Sequence, residues 1–222
     1  MPRRRTTPTQ RIFLLSPAHC GGERARLLLA PRASFPLATA LRSATGAPLG
    51  EVFAFLSGLY FRGKLAYARA FARPPVRRGV RDGVLVITAD RGLRPPDDTL
   101  TLHDLELAAQ VDIRRDNPSY RQPLEASARS LANRVGLRCD VVLLGSVASD
   151  KYVDVLRDVF GERLRFPAAF VGRGDMSRGG LLLRCVAERR ELDYIPIDGA
   201  MRHGPRPPKL PPLPRTRSSE LG

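Results

Sequence analysis

Three short apolar runs, at residues 11–16, 84–88 and 140–145, most constrain how this chain can fold. Their centres consist of leucine, isoleucine, valine and phenylalanine, and no charged side chain interrupts them. Such runs favour strands that are buried on both faces, as in a parallel sheet covered by helices. Weaker runs at 166–171 and 193–197 predict two more strands, and the proline in the last indicates an edge strand.

Segments with helical periodicity alternate with these runs. Apolar residues spaced three or four apart predict one long helix over 52–71, with Gly58 and Gly63 as points where it can break. Further helices are predicted over 23–29, 124–135, 152–160 and 181–190. The alternation predicts an α/β fold with three layers, in which helices flank a mostly parallel central sheet of about four to five strands.

The two ends of the chain differ from this folded part. Residues 1–10 are mostly arginine, threonine and proline, and 204–222 is a proline-rich run that favours an extended conformation. We therefore predict a disordered basic tail over 1–10, a single α/β domain over 11–203 and a Pro-rich basic tail over 204–222. A chain of 222 residues has the length expected for one domain with tails.

The chain is strongly basic, with 37 Lys and Arg against 22 Asp and Glu and a formal net charge of +15. The excess lies in the first hundred residues and at the C-terminus, because 101–200 carry equal numbers of both signs. This distribution predicts a polyanionic partner, with nucleic acid first and an anionic membrane surface second. The partner expected here is nucleic acid, with DNA favoured over RNA, or a nucleotide. An arginine excess also arises from a GC-rich genome, so two explanations of the charge stay open.

Cysteine and histidine usage bears on compartment and cofactors. The 3 cysteines are widely spaced, which is not the pattern of a disulfide framework, and a cytoplasmic location is expected. The cysteines and the 3 histidines also lack the spacing of metal ligands, so neither a metal nor a cofactor is predicted. Charged residues interrupt every apolar stretch before the roughly 18 residues that a membrane span needs, so no membrane partner is predicted.

The predicted strands end in polar loops, which is where ligands gather in folds of this class. The first loop, 16–22, starts with Ser16 and contains two glycines that let a ligand approach the backbone. Ser16 is therefore a candidate contact for substrate or phosphate. The helix that follows would lower the pKa of Cys20, which makes its thiolate a candidate nucleophile. A structural cysteine is the alternative.

The second and third loops carry charged and hydroxyl side chains. Asp90 directly follows a strand and is a candidate general base, with Arg91 beside it as a candidate phosphate ligand. Alternatively, these two residues pair with each other across a turn. Ser146 and Lys151 stand between a strand and a helix and are candidate phosphate ligands. The glycine and lysine spacing of a Walker loop is absent.

The fourth loop, 172–180, combines four glycines with two arginines. Arg173 and Arg178 can each grip a phosphate through two parallel hydrogen bonds, and Ser177 between them is a further candidate contact. Asp175 is a second candidate catalytic carboxylate. The glycine spacing does not match the dinucleotide fingerprint, so the loop predicts an anion site without naming the anion.

The segment 57–67 interleaves aromatic residues with cations. Tyr60 could stack on a base while Arg62 and Lys64 hold phosphates, a combination typical of proteins that bind single-stranded or flipped nucleotides. In the alternative interpretation, Tyr60 and Phe61 lie in the core and the two cations lie in solvent.

Several motifs follow one another in an order that is found in a known group of proteins. These motifs are Leu59-Tyr60, Gly92-Leu93 with Pro95, and Gly145 with Tyr152. Together they resemble the YaaA group of small α/β peroxide-stress proteins, and the resemblance covers roughly residues 11–190. The chain lacks the Cys-x-x-Lys that this group carries after the first strand, and Thr88 stands where the group has serine.

The resemblance implies a fold similar to that of uracil-DNA glycosylases and a connection to DNA. The leading hypothesis is a nucleic-acid- or nucleotide-binding protein of DNA repair or stress response that acts on a nucleobase or N-glycosidic bond. Asp90 or Asp175 would then activate water or stabilise a cationic sugar, as in a glycosylase-like hydrolase. The alternatives are a non-catalytic DNA- or RNA-binding accessory protein and a Cys20-dependent enzyme acting on a small phosphorylated metabolite.

Overall fold

A computed structural model describes residues 10–76, 80–148, 150–201, 204–208 and 210. Its strands are β1 (Gln10–Leu15), β2 (Ala47–Pro48), β3 (Val84–Ile87), β4 (Leu93–Arg94), β5 (Thr99–Leu100), β6 (Cys139–Leu144), β7 (Leu164–Pro167) and β8 (Tyr194–Pro196). Its helices are α1 (Glu23–Leu29), α2 (Pro36–Arg42), α3 (Leu49–Ser57), α4 (Leu59–Phe71), α5 (Leu102–Gln110), α6 (Pro118–Val135), α7 (Asp150–Phe160) and α8 (Asp175–Ala187).

The central sheet has the strand order β4-β3-β1-β6-β7-β8. Its inner strands β3, β1, β6 and β7 run parallel, whereas β4 and β8 pair antiparallel with their neighbours at the two edges. A separate antiparallel pair joins β2 and β5. The predicted α/β fold with a mostly parallel sheet is confirmed, with 6 strands in that sheet, more than predicted.

Strand β1 lies in the middle of the sheet, between two layers of helices. Phe13 and Leu15 belong to one core, which they share with residues of α4 and α8. Ile12 and Leu14 belong to a second core on the other face, with residues of α6 and α7. All four side chains are fully buried, which explains why the run contains no polar residue on either face.

The predicted long helix is divided into α3 and α4. Gly58 separates them with a φ of +61°, a left-handed conformation that favours glycine, and this confirms the break predicted there. Gly63 does not interrupt α4, so the break predicted at that position is wrong. A Cβ atom on Gly63 would lie 2.7 Å from the carbonyl oxygen of Gly179 in α8, so the missing side chain lets the two helices pack closely.

Other elements differ from the sequence prediction in their bounds. Helix α8 begins at Asp175, so the second half of the predicted loop 172–180 is helical. Helix α6 begins at Pro118, before the predicted start at residue 124, and β7 begins at Leu164, before the predicted start at residue 166. Helices α2 and α5 and the short strands β2, β4 and β5 lie outside the predicted elements.

The chain ends meet the folded part in different ways. Gln10, predicted to lie in the N-terminal tail, is the first residue of β1. The predicted tail 204–222 starts against the folded body, because the carbonyl oxygen of Pro205 faces Gly172 and Leu210 packs on the core. The rest of both predicted tails lies largely outside the described residues. None of the described helices is long and apolar enough to cross a membrane.

Candidate functional site

The strand order reverses at β1. Strand β3 lies on one side of β1, and β6, the next parallel strand along the chain, lies on the other side. A reversal of this kind opens a crevice outside the carboxyl ends of the two strands, which is the usual ligand site in an open α/β sheet. Ser16 directly follows β1, and Gly145 directly follows β6.

A cleft of about 570 Å³ occupies this crevice. Its walls come from the loops after β1, β3 and β6, from α4, from the end of α5 and from the starts of α7 and α8. The predicted site residues that line it are Ser16, Cys20, Tyr60, Ser146, Lys151 and Asp175. Segments that are far apart in the sequence therefore converge on one cavity.

A buried lysine underlies the wall that Ser16 forms. The Lys64 side chain is 1% exposed, and its Nζ donates hydrogen bonds to the carbonyl oxygen and to Oγ of Ser16, both at 2.8 Å. The same atom lies 4.6 Å from the ring centre of Tyr60 and 4.9 Å from that of Phe61. Burial lowers the pKa of Lys64 to about 7; Asp175 acts to raise it and Arg178 to lower it. The interpretations that place Lys64 in solvent or on a phosphate are both wrong.

Tyr152 completes the surroundings of the Ser16 hydroxyl. Its own hydroxyl donates to the carbonyl oxygen of Ser146 at 3.0 Å and also interacts with Ser16. Burial raises the pKa of Tyr152 to about 12. A Cβ on Gly145 would lie 2.7 Å from Cβ of Ser16 and 2.9 Å from the Tyr152 oxygen, so glycine at this strand end allows the two side chains to meet.

Tyr60 lies between the cleft and the core. It is 6% exposed, and its ring packs edge-to-face against Phe170 with the ring centres 6.5 Å apart. The hydroxyl lies near Arg178 but has no hydrogen-bond partner of normal geometry in the described part of the chain. Burial raises the pKa of Tyr60 well above its usual value. An unsatisfied buried hydroxyl beside a cleft is a group that a ligand could satisfy.

Cys20 lines the cleft but lacks the properties of a reactive thiol. It is buried, and its sulfur donates to the carbonyl oxygen of Ala18 at 3.7 Å. Burial raises the pKa of Cys20 to about 12, and the negative charge of Asp90 adds to this effect. The pKa lowering predicted from the following helix is therefore wrong.

Asp90 and Arg91 form the turn pair that was the alternative in the sequence interpretation. The Arg91 Nε lies 3.5 Å from Asp90 Oδ2, and its Nη1 lies 3.4 Å from Oδ1 of Asp104 in α5. Neither Asp90 nor Arg91 is among the residues that line the cleft. The Oδ1 atom of Asp90 is buried, and no hydrogen-bond partner for it is present among the described residues.

The arginines of the fourth predicted loop mostly bind the protein itself. Arg173 donates to the carbonyl oxygen of Ala169 at 3.0 Å and to Oγ of Ser177 at 3.2 Å. Arg178 donates twice to the carbonyl oxygen of Phe170, at 3.3 and 3.1 Å. The prediction that both arginines grip a phosphate is therefore not supported, because much of their donor capacity serves to hold the start of α8.

The remaining predicted residues divide between the cleft and another surface. Asp175 is exposed at the first position of α8 and lines the cleft. Arg62 is exposed and lines a different depression, together with residues of α1, α2 and α3. Arg62 does not join Tyr60 at the cleft, because positions two apart on a helix face in different directions, and its phosphate contact stays a prediction.

The sequence interpretation includes Lys64 but does not place it on Ser16, and it gives Tyr152 no role in the site. Lys64 lies four residues after Tyr60 and therefore on the same helical face, which is a signal for a position near the cleft. Tyr152 lies in the first turn of α7, next to the predicted Lys151.

Among the described residues, no cluster of three or more His, Cys, Asp or Glu could hold a metal ion. No family model, no curated protein and no solved structure matches this chain. The chemistry of the cleft must therefore be read from the polar groups that line it, which include hydroxyls, the Lys151 amine, the His19 imidazole and the carboxylates of Asp112 and Asp175.

Proposed function

We propose that the cleft binds a nucleotide, either free or as a unit of nucleic acid, and acts on its base or N-glycosidic bond. The observation that carries the proposal is the convergence of hydroxyl, amine, tyrosine and carboxylate groups on one cleft of about 570 Å³. Pockets for small ligands and cofactors measure roughly 300–1,000 Å³, so a single nucleotide fits this class. The formal net charge of +15 supports an anionic ligand.

The phosphate is assigned to the wall that α7 forms. Ser146 precedes this helix and Lys151 lies in its first turn, and both line the cleft. The lysine and the positive end of the helix dipole both favour an anion there. Tyr60 lies on the α4 wall and lines the cleft, where its side chain can contact the base.

The carboxylate of the proposed reaction is Asp175. It lines the cleft and is open to solvent, whereas Asp90 is held by Arg91 outside the lining. In hydrolysis of an N-glycosidic bond, water adds to the sugar carbon and the base leaves with the bonding electrons. Asp175 accepts the proton of the water and returns it to the departing base.

Calorimetric titration with mononucleotides and the matching nucleosides tests the binding step. Lys151→Met should weaken nucleotide binding at least ten-fold and nucleoside binding much less, and nucleotide affinity should fall with added salt. Arg62→Met is the matched control, because it removes one cation from a different surface and should change affinity less than two-fold. Equal nucleotide affinity in wild type and Lys151→Met contradicts the assignment.

Release of free base from oligonucleotides, followed by chromatography, tests the reaction. Asp175→Asn should abolish release and leave nucleotide affinity nearly unchanged, whereas Asp158→Asn, an exposed position on α7 outside the cleft, should have no effect. Loss of binding together with release in Asp175→Asn would show that Asp175 binds rather than catalyses.

A non-catalytic nucleic-acid-binding protein is the second candidate function. The observation that favours it is the net charge of +15, part of which lies at the two chain ends rather than at the cleft. A Cys20-dependent enzyme receives no such support, since burial raises the pKa of the thiol to about 12.

A further inference from the structure

A hydrogen bond from the buried Lys64 amine distinguishes Ser16 from the other described serines. Nζ of Lys64 lies 2.8 Å from Oγ of Ser16, and the serine lines the cleft while the lysine lies beneath it. In the described part of the chain, the two Ser16 oxygens are the hydrogen-bond partners of Lys64, and no carboxylate forms an ion pair with it. A buried amine that contacts a hydroxyl at the surface of a cavity is the arrangement of a nucleophile and its base.

We propose that Ser16 and Lys64 are the nucleophile and the general base of an acyl-transfer site whose substrates are esters or amides. The inference goes beyond the proposed function, because an acyl group can react at Ser16 whether or not a nucleotide binds at the α7 wall. Ser16 would react with the carbonyl carbon, and Lys64 would take up and return the protons of the reaction.

The geometry allows both protonation states that a base requires. As a neutral amine, Lys64 can donate one hydrogen to the Ser16 carbonyl and use its lone pair to accept the hydroxyl proton, since both oxygens lie at 2.8 Å. As an ammonium, it donates to both oxygens and lies against the rings of Tyr60 and Phe61, which favour a cation.

The charges that face Lys64 leave the neutral amine accessible near neutral pH. Burial lowers its pKa, Asp175 of α8 acts to raise it and Arg178 of the same helix acts to lower it, and together these effects bring the pKa to about 7. Tyr60 on α4 and Tyr152 on α7 are the titratable hydroxyls nearby, and burial raises the pKa of both, so they are uncharged at this pH. A large fraction of the amine is therefore free to accept a proton at pH 8.

The reaction sequence balances with water as the second substrate. Oγ of Ser16 bonds to the acyl carbon while its proton passes to Lys64, and the carbonyl oxygen becomes an oxyanion. The oxyanion collapses, the bond to the leaving group breaks, and the leaving group takes the proton from Lys64. Water then attacks the acyl-serine with Lys64 as base, which releases the acid and restores the serine.

The neighbours of Ser16 favour the negative charge that develops in this sequence. Tyr152 contacts Ser16 and stays uncharged, since burial raises its pKa to about 12, and its one hydroxyl proton is donated to the carbonyl oxygen of Ser146. Lys151 lines the same wall of the cleft in the first turn of α7. Positive charge near a forming oxyanion lowers the barrier of acyl transfer.

A fluorophosphonate probe, which phosphonylates activated serines and releases fluoride, tests the proposal. Incubation of the full chain at pH 8, followed by intact-mass measurement and peptide mapping, should give one adduct, located on Ser16. Ser16→Ala should give none, and Lys64→Met should react at least 100-fold more slowly. Ser130→Ala, at an exposed position on α6, is the matched control and should react at the wild-type rate.

The pH profile of wild-type labelling provides a test that needs no variant. The rate should rise with pH and level off above a midpoint near 7, and in Lys64→Met this midpoint should be lost. Absence of a Ser16 adduct between pH 6 and 9.5 in folded protein overturns the proposal, as does an undiminished rate in Lys64→Met. Nucleotide titration of the wild-type protein separates this outcome from failure of the proposed function, because it measures binding at the α7 wall whether or not Ser16 reacts with the probe.

Discussion

At the scale of single residues, burial of the Lys64 amine carries a free-energy cost that depends on pH. The amine loses its hydration, and two serine oxygens and two aromatic rings replace only part of it. An unfolded chain holds the lysine proton up to about pH 10.5, whereas the folded protein releases it near pH 7. Between these values the unfolded state binds more protons, so stability must rise with pH.

We expect the Lys64→Met variant to lose this pH dependence. The unfolding free energy of wild type minus that of the variant should increase by up to ~1.4 kcal/mol per pH unit from pH 7 to 9. Below pH 7 the difference should be flat, because the lysine is protonated in both states. Urea unfolding followed by circular dichroism at pH 6, 7, 8 and 9 measures it. The raised pKa of Cys20 affects the unfolding free energy of both proteins equally, so it cancels in the difference. A difference in unfolding free energy that stays constant from pH 6 to 9 would contradict a neutral Lys64.

The three cysteines should be unreactive in the folded protein. All are buried and free, and burial raises the pKa of Cys20 to about 12 and that of Cys139 to about 11. Ellman's reagent at pH 8 should therefore modify native thiols at least 100-fold more slowly than thiols in urea. Rapid modification of Cys20 in folded protein would instead support the thiol-dependent alternative.

The sequence indicated the residue types of the site better than their roles. Ser16 and Asp175 were predicted because they follow strand ends, and both line the cleft. Lys64 was placed in solvent or on a phosphate because lysine is rarely fully buried. Its partner lies 48 positions earlier in the chain, and only the packing of α4 on β1 brings the two together.

At the scale of elements, the contact between α4 and α8 holds Tyr60 and Lys64 in place. Two glycines make it close: a Cβ on Gly63 would lie 2.7 Å from the Gly179 oxygen, and a Cβ on Gly179 would lie 2.9 Å from Cα of Tyr60. The atoms that these Cβ atoms would meet belong to the backbone, which cannot move aside as the end of a flexible side chain can. The spacing between the two helices therefore depends on the absence of side chains at both positions.

Adjacent glycines of α8 should respond to alanine in opposite ways. Gly179→Ala should destabilise the protein by roughly 1–3 kcal/mol, because the helices must separate. Among the described residues, a Cβ on Gly180 meets only Cδ1 of Leu210, at 3.9 Å. Gly180→Ala should therefore stabilise the protein by up to ~1 kcal/mol through helix propensity. Thermal and urea unfolding of both variants measure the difference. Equal destabilisation by the two substitutions would contradict the close α4–α8 contact.

Elements that were predicted and elements that were missed differ in the strength of their local pattern. β1, β3 and β6 are buried on both faces over most of their length, so residues 12–15, 84–87 and 141–144 form uninterrupted apolar runs. The strands β2, β4 and β5 contain 2 residues each, which is too short for any periodicity to register. The first turns of α8 are not predicted, because glycine disfavours a helix. The reason for glycine at position 179, its close packing against α4, cannot be read from the sequence.

At the scale of the whole molecule, the cleft exists because of strand order. The loops after β1 and β6 meet only because β6 lies beside β1 rather than beside β3. Periodicity identifies strands but does not give their order in the sheet, so the sequence predicted four polar loops without predicting that they form one cavity. The positions of the arginines in the sequence likewise do not predict which of them reach the cavity. The predicted phosphate ligands Arg62 and Arg173 lie outside the lining of the cleft.

A protein shortened to residues 10–210 separates the cleft from the chain ends. The shortening removes five arginines and one glutamate, which lowers the formal net charge from +15 to +11, and it keeps every residue that lines the cleft. Mononucleotide affinity should stay within about two-fold, whereas affinity for a single-stranded oligonucleotide should fall, with a salt slope smaller by roughly 0.7 for each lost phosphate contact.

Calorimetry at several salt concentrations measures both affinities, and circular dichroism checks that the shortened protein is folded. An oligonucleotide affinity that survives the shortening would place the polyanion contacts on the folded body, where Arg62 and its neighbours are exposed. Loss of mononucleotide binding from the folded, shortened protein would contradict a nucleotide site built from the strand-end loops, because none of those loops is altered.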